Sequence, residues 1–413
     1  MIRRRELTLG LAGAAILPGA ARAQAGNPLR VGFSQSLSGG LAGNGRAALV
    51  AQQIWAEDVN ARGGLLGRQV QLVYYDDQSN GAQVPGIYTK LLDVDRVELV
   101  VSGYATALIA PAMPIVMQHG MCFVTLLGTG VNTSFHYDRH FNISPSGSNV
   151  RDTMARGFFE VAAKLPAPPH TVAIAALDAD FPQRAVESAR YNAEQRGIKV
   201  AYDRSYPPGT VDFSPIVRAI QSAKPDLVFI NSYPPDSNGM LRAVVEAKLQ
   251  AQIFGGIMIG PQISAIKAQF GSQLNNLVCW DVYAPEPTMK FPGVDALLAR
   301  YRAAAAREKT DALGLYVPPL AYTQMQVLEQ ALARVAKIDQ AALAADMHGH
   351  DFDTVIGTLR FDEMGEWTEE RNLWVQYQGI QGNDLDQFAR AGTQVILYPD
   401  RFRSGQLRSP WPA

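Results

Sequence analysis

The run Leu29-Arg-Val-Gly-Phe-Ser34, then Ala47-Ala-Leu-Val-Ala-Gln-Gln-Ile-Trp-Ala-Glu-Asp-Val-Asn60, then Gln69-Val-Gln-Leu-Val-Tyr-Tyr75 decides the fold. The outer two pieces are short and apolar, as strands are. Between them Ala47, Val50, Ala51, Ile54, Trp55 and Val59 share one face of a helix of 3.6-residue period. A strand, a crossover helix and a second strand place the two strands parallel. The alternation continues through a helix at 85–93, a strand at 97–102, a helix at 108–118 and a strand at 122–126.

The rhythm restarts after Pro145. A helix at 150–164 stops at Pro166-Ala-Pro-Pro169, and a strand follows at 171–177. A helix at 183–196 is closed by Gly197, and a strand follows at 198–206. Segments 215–222, 227–232, 236–249 and 252–257 extend the series. Two such sets predict an α/β protein of two Rossmann-like, doubly wound lobes. After Leu277 too few strands remain for a third domain. The Ala-rich helices at 294–307 and 320–336 must therefore pack back on an existing lobe. The chain then crosses between lobes more than once.

The N-terminus indicates the compartment. Arg3, Arg4 and Arg5 precede a short run of apolar and small residues from Leu7 to Ile16, and Ala21-Arg22-Ala23 offers a small-residue cleavage site. This order predicts a signal peptide over 1–25, cut near Ala23, and export to the periplasm. The run is too short for a spanning helix, which needs about 20 apolar residues. Sec and twin-arginine routes both stay open. The formal net charge of -1, with no Lys/Arg block, argues against nucleic acid as a partner. Cys122 and Cys279 lie in strand-like apolar runs and read as two buried thiols, with a disulfide as the alternative in an oxidising compartment.

The loop and helix opening Val31-Gly-Phe-Ser-Gln-Ser-Leu-Ser-Gly-Gly-Leu-Ala-Gly-Asn-Gly45 resembles leucine/isoleucine/valine-type periplasmic solute-binding proteins of ABC importers. So do Glu57-Asp-Val-Asn-Ala-Arg-Gly-Gly-Leu-Leu-Gly67, Tyr75-Asp-Asp77, Ser102-Gly-Tyr-Ala-Thr106, Thr125-Leu-Leu-Gly-Thr129 and Thr354-Val-Ile-Gly-Thr-Leu-Arg-Phe-Asp362. Each motif is weak alone; their order over nearly the whole chain is specific. The resemblance implies two lobes joined by a three-segment hinge, with the ligand cleft between them. Crossings are expected near Ser144-Pro145, near 281–284 and near 353–356. That makes lobe 1 residues 27–145 plus 284–353, and lobe 2 residues 146–283 plus 354–413. The resemblance also implies closure about the hinge, delivery to an ABC permease in the inner membrane, and a monomer that is no enzyme and needs no cofactor.

Ligands of open α/β sheets lie beyond the carboxyl ends of the strands. Thr106 and Thr129 stand at two such ends. From the residues alone their hydroxyls are either helix caps or donors to a carboxylate. The resemblance selects the second reading and adds Leu127 through its backbone. It also assigns Asn44, Tyr104, Phe181, Tyr233 and Met258 to the ligand walls. Relatives that bind α-amino acids carry an acid after the strand matching 252–257, where it pairs with the ammonium. Here Phe254-Gly-Gly-Ile-Met-Ile-Gly260 places Met258 there, leaving Asp281 or Asp180 as substitutes. A buried ammonium without a partner costs several kcal/mol. The expected ligand is therefore a carboxylate with an apolar or aromatic body and no required amine. An amino-acid binder with a relocated ammonium partner is the alternative. A sensor feeding a membrane receptor kinase is another.

Three further motifs carry rival readings. Gly43-Asn-Gly-Arg-Ala-Ala48 fits G-x-G-x-x-A, but the loop before it is too long for a dinucleotide turn. His348, His350, Asp351 and Asp353, and the pair His136 and His140, read as solvated loops without metal-site spacing. No hydrolase elbow, zincin helix or P-loop occurs.

Overall fold

The structure, a computed structural model, describes residues 27–413. The leader expected over 1–25 lies outside the described residues. Five strands form a first sheet: β1 (Leu29–Gln35), β2 (Val70–Asp76), β3 (Leu99–Tyr104), β4 (Phe123–Leu126) and β5 (His140–Ile143). All are parallel, in the order β2-β1-β3-β4-β5, and β1 runs beside β2 from Leu29 opposite Val70 to Gln35 opposite Asp76. The 20-residue helix Ala42–Ala61 is the first crossover; Trp55 and Val59 are buried on it. At Gly103 an added Cβ would stand 2.3 Å from the Ser34 carbonyl oxygen, so β1 and β3 approach this closely only with glycine there.

The second sheet holds β6 (Thr171–Leu177), β7 (Lys199–Tyr206), β8 (Leu227–Ser232), β9 (Ile253–Met258) and β10 (Val278–Asp281). Their order, β7-β6-β8-β9-β10, repeats that of the first sheet, and all are parallel. Two C-terminal strands, β13 (Leu373–Tyr377) and β14 (Gln394–Tyr398), continue it antiparallel beyond β10. Trp374 of β13 is fully buried against Phe158 of helix Val150–Ala162, at 5.5 Å between centroids, and against Phe229 of β8.

The long C-terminal helices return to the first lobe. In helix Val317–Val335, Gln324 donates to the carbonyls of Ser102 (3.0 Å) and Val124 (2.9 Å) and accepts from Gln52. In helix Val294–Glu308, Arg300 pairs with Glu57 and Asp58. The sequence reading expected a third crossing at 353–356, and the structure places it later. That segment is the turn between β11 (Phe352–Thr354) and β12 (Gly357–Leu359), a hairpin held to helix Val317–Val335. Gln330 binds the Asp353 carbonyl at 2.9 Å, and Gln326 accepts from the Val355 amide at 2.9 Å. Residues beyond it still bond the first sheet, since the Asn142 amide donates to the Gly365 carbonyl. The chain reaches the second sheet only at Leu373. Residues 354–366 therefore belong beside the first lobe, because these bonds hold them there.

Helix Gln340–Gly349 begins at Asp339, whose carboxylate accepts from the Ala342 amide at 3.0 Å. Asp339→Ala is expected to cost about 1 kcal/mol by loss of this cap. Urea unfolding checks it, and an unchanged midpoint would show that the cap contributes nothing. Cys122 and Cys279 are free, buried thiols, one just before β4 and the other in β10 of the second sheet. Among the described residues no helix is long and apolar enough to cross a membrane.

Candidate functional site

In both sheets the strand order reverses beside the first strand, between β1 and β3 and between β6 and β8. Loops leaving the carboxyl ends of these strands diverge there and open a crevice. Thr106 follows β3, Phe181 follows β6 and Tyr233 follows β8, so the two crevices face each other across one cleft. Tyr104, Ala105, Thr106, Leu127 and Thr129 line it from the first lobe. Phe181 and Tyr233 line it from the second, their ring centroids 5.5 Å apart.

Two residues that the sequence reading missed complete the walls. Trp280 of β10 packs edge-on against Tyr316 at 6.2 Å, and Tyr316 packs edge-on against Tyr104 at 6.0 Å. The two tyrosine hydroxyls lie 3.3 Å apart, and the Trp280 indole donates to Asn372 at 2.7 Å. The only local signals were an aromatic at a strand end and another just before a helix.

The first-lobe loops hold unusual backbone. Ala105 has φ +91° and Leu127 has φ +62°, both in the region that side chains disfavour. At Ala105 this turn starts the helix Thr106–Ile109, in which the Leu108 and Ile109 amides bond the Ala105 carbonyl and those of Thr106 and Ala107 have no backbone acceptor among the described residues. Thr106 donates its hydroxyl to the Leu127 carbonyl at 3.2 Å. Thr129 is 4 % exposed and lines the cleft without donating to any described carbonyl there.

The positions of three expected site residues need correction. The Leu127 amide is committed to the Ile143 carbonyl at 3.1 Å, so its backbone is no donor to a carboxylate. Only its carbonyl, an acceptor, remains for the cleft. Asn44 is buried near Tyr104 and lies outside the lining set. The reason is that the helix begins at Ala42, which makes Gly43, Asn44 and Gly45 its first turn rather than a loop. Met258 is the fully buried last residue of β9 and belongs to the core; Trp280 from the next strand forms the wall instead.

Among the described residues, none that lines the cleft carries a formal charge. Burial pushes the Tyr104 hydroxyl up to about 12 and Tyr316 well above the usual phenol range, so both stay protonated donors. Neither substitute acid reaches the lining. Asp281, the residue after Trp280 in β10, is buried behind the wall, where it accepts from Gln394 at 3.3 Å. Burial pushes its carboxyl up to about 6, and Lys267 nearby opposes that shift. Asp180 is exposed at the start of helix Asp180–Gln195.

Among the described residues no three His, Cys, Asp or Glu side chains group as metal ligands. His348 faces the carbonyls of Asp362 and Asp138, and His140 is buried against Thr125 at 3.0 Å. The lining set thus offers hydroxyls, helix-start amides, one carbonyl and five aromatic faces, which suits holding a small molecule.

A family model described as periplasmic binding protein matches residues 28–375. A leucine-, isoleucine-, valine-, threonine- and alanine-binding protein of Pseudomonas aeruginosa is 24% identical over 363 residues, 88% of this chain and 93% of that one. Among solved structures, a leucine binding protein from Thermotoga maritima is similar, with a TM-score of 0.74 at 17% identity over 86% of this chain and 97% of its own. A solute binding protein of an ABC transporter from Rhodopseudomonas palustris, in complex with p-hydroxybenzoic acid, gives a TM-score of 0.72 at 18% identity, covering 87% of this chain and 95% of its own.

Proposed function

This chain belongs to the periplasmic binding protein family, and on that premise we propose that it is the substrate-binding component of an ABC importer for a small carboxylate with an aromatic body. The observation that carries the ligand class is the lining itself: Tyr104, Phe181, Tyr233, Trp280 and Tyr316 surround the cleft, and no acid stands ready for an ammonium. In this reading the Thr106 and Thr129 hydroxyls and the Thr106 and Ala107 amides receive the carboxylate, and the rings receive the body. The lobes close on it because it touches both. The p-hydroxybenzoic acid in the Rhodopseudomonas structure is a ligand of the same chemistry.

One observation favours a second reading. The Leu127 carbonyl is an acceptor at the cleft, and the Pseudomonas relative is named for amino acids, whose ammonium is a donor. A thermal-shift panel on the mature chain separates the two. A ligand that binds only the folded form stabilises it by about 2.7 kcal/mol at a hundredfold excess over Kd. We expect 4-hydroxybenzoate, benzoate or phenylacetate to raise Tm and L-leucine to leave it unchanged. Stabilisation by L-leucine with no response to the aromatic acids would overturn the aromatic reading.

A further inference from the structure

Behind the ligand loop 127–129 lies a buried polar chain that the binding reading does not use. Glu366 is 3 % exposed; one carboxylate oxygen accepts from the Asn142 side chain at 2.9 Å and the other is buried without a partner. The Asn142 side-chain oxygen in turn accepts from the Gly128 amide at 2.9 Å and the Thr125 hydroxyl at 3.2 Å. Glu366 therefore orients Asn142, and Asn142 pins the middle of the loop between Leu127 and Thr129.

A cation from the other lobe lies against the same loop. Arg184 stands on helix Asp180–Gln195, one turn beyond Phe181 of the cleft wall. It lies against Gly130, where an added Cβ would stand 2.9 Å from Nη1, 3.1 Å from Cζ and 3.2 Å from Cδ. Its Nε is buried and makes no hydrogen bond. Burial holds the Glu366 carboxyl well above the usual carboxylate range; Asp362 adds to that shift, and Arg184 opposes it. Gly130 has φ +63°, so it supplies both the turn and the flat surface for the guanidinium.

We infer that Arg184 is a closure latch, a positioning residue that docks on Gly130 only when the lobes meet. Its docking bears directly on the loop carrying Leu127 and Thr129, whose middle Asn142 holds. The inference rests on the reading that this cleft binds by closure. The closed form seats the guanidinium on the flat face of Gly130, in the loop that Asn142 and Glu366 hold in place. Removing Arg184 thus opens the molecule without touching the ligand contacts.

The test places spin labels at Val94→Cys and Val211→Cys, which are 69% and 93% exposed and lie on different lobes. Distances are read in the mature chain alone, then with millimolar 4-hydroxybenzoate, benzoate or L-leucine. We expect a short-distance component in at least one condition. It should fall about tenfold in Arg184→Ala and be partly restored in Arg184→Lys. Asn142→Ala, which releases the loop on which Arg184 docks, should lower it too, and the double variant with Arg184→Ala should add little to either single change, as for residues acting as one unit. A wild-type short component retained in Arg184→Ala, or independent effects in the double variant, would overturn the latch. So would a chain with no short component in any condition. A short component induced by L-leucine alone sinks the aromatic-acid reading and leaves the latch standing.

Discussion

Changing both Thr106 and Thr129 to alanine will weaken binding of the best aromatic acid by roughly a thousandfold, from two hydrogen bonds to a charged group at about 2 kcal/mol each. The two threonines should not contribute equally. Thr106 already donates to the Leu127 carbonyl at 3.2 Å, so on turning to a ligand it exchanges one acceptor for another. Thr129 gives up no such bond at the cleft. Thr129→Ala should therefore cost more than Thr106→Ala, and Thr129→Ser should keep most of the affinity. Isothermal titration calorimetry on the four variants decides it. Equal affinity in wild type and the double variant would remove the carboxylate from this end of the cleft.

The aromatic half of the site is already in place without a ligand. Trp280 is anchored by Asn372 and Tyr316 by its contact with Tyr104, so neither ring needs a ligand to hold its place. Walls already in position lower the ordering cost of binding. The same walls exclude Asp281 from the cleft, since it lies behind them beside Gln394 and Lys267.

Strands and crossover helices were legible because their apolar periods are strong: residues 171–177 and 227–232 coincide with β6 and β8. β5 was not, because His140 and Asn142 break its apolar run and are satisfied only by tertiary partners. The helix start at Ala42 was hidden by Gly39, Gly40, Gly43 and Gly45 and by Leu41 at a position where a capping residue is usual, which displaced Asn44 from its expected place. Thr106, Thr129, Phe181 and Tyr233 were legible as strand-end residues. Trp280 and Tyr316 were not, since only the return of helix Val317–Val335 to the first lobe brings residue 316 against residue 104.

His140 should make the protein acid-sensitive. It is fully buried, its Nε2 faces the Thr125 hydroxyl at 3.0 Å, and its Nδ1 has no partner. Burial lowers its pKa to about 3, below the ordinary value near 6.5. The unfolded chain then takes a proton below pH 6.5 that the folded chain refuses. The folded state loses stability from there downward, and the loss levels off only near pH 3. The expected loss is about 2 kcal/mol between pH 7 and pH 5 and about 3 kcal/mol by pH 4. Asp281 and Glu366 have raised values and act oppositely, favouring the folded state as pH falls. The measurement must therefore be a difference: urea unfolding of wild type and His140→Gln at about pH 7, 6 and 5. The gap between the two should shift by about 2 kcal/mol in favour of the variant at the lower end. Parallel pH curves would show that His140 titrates alike in both states.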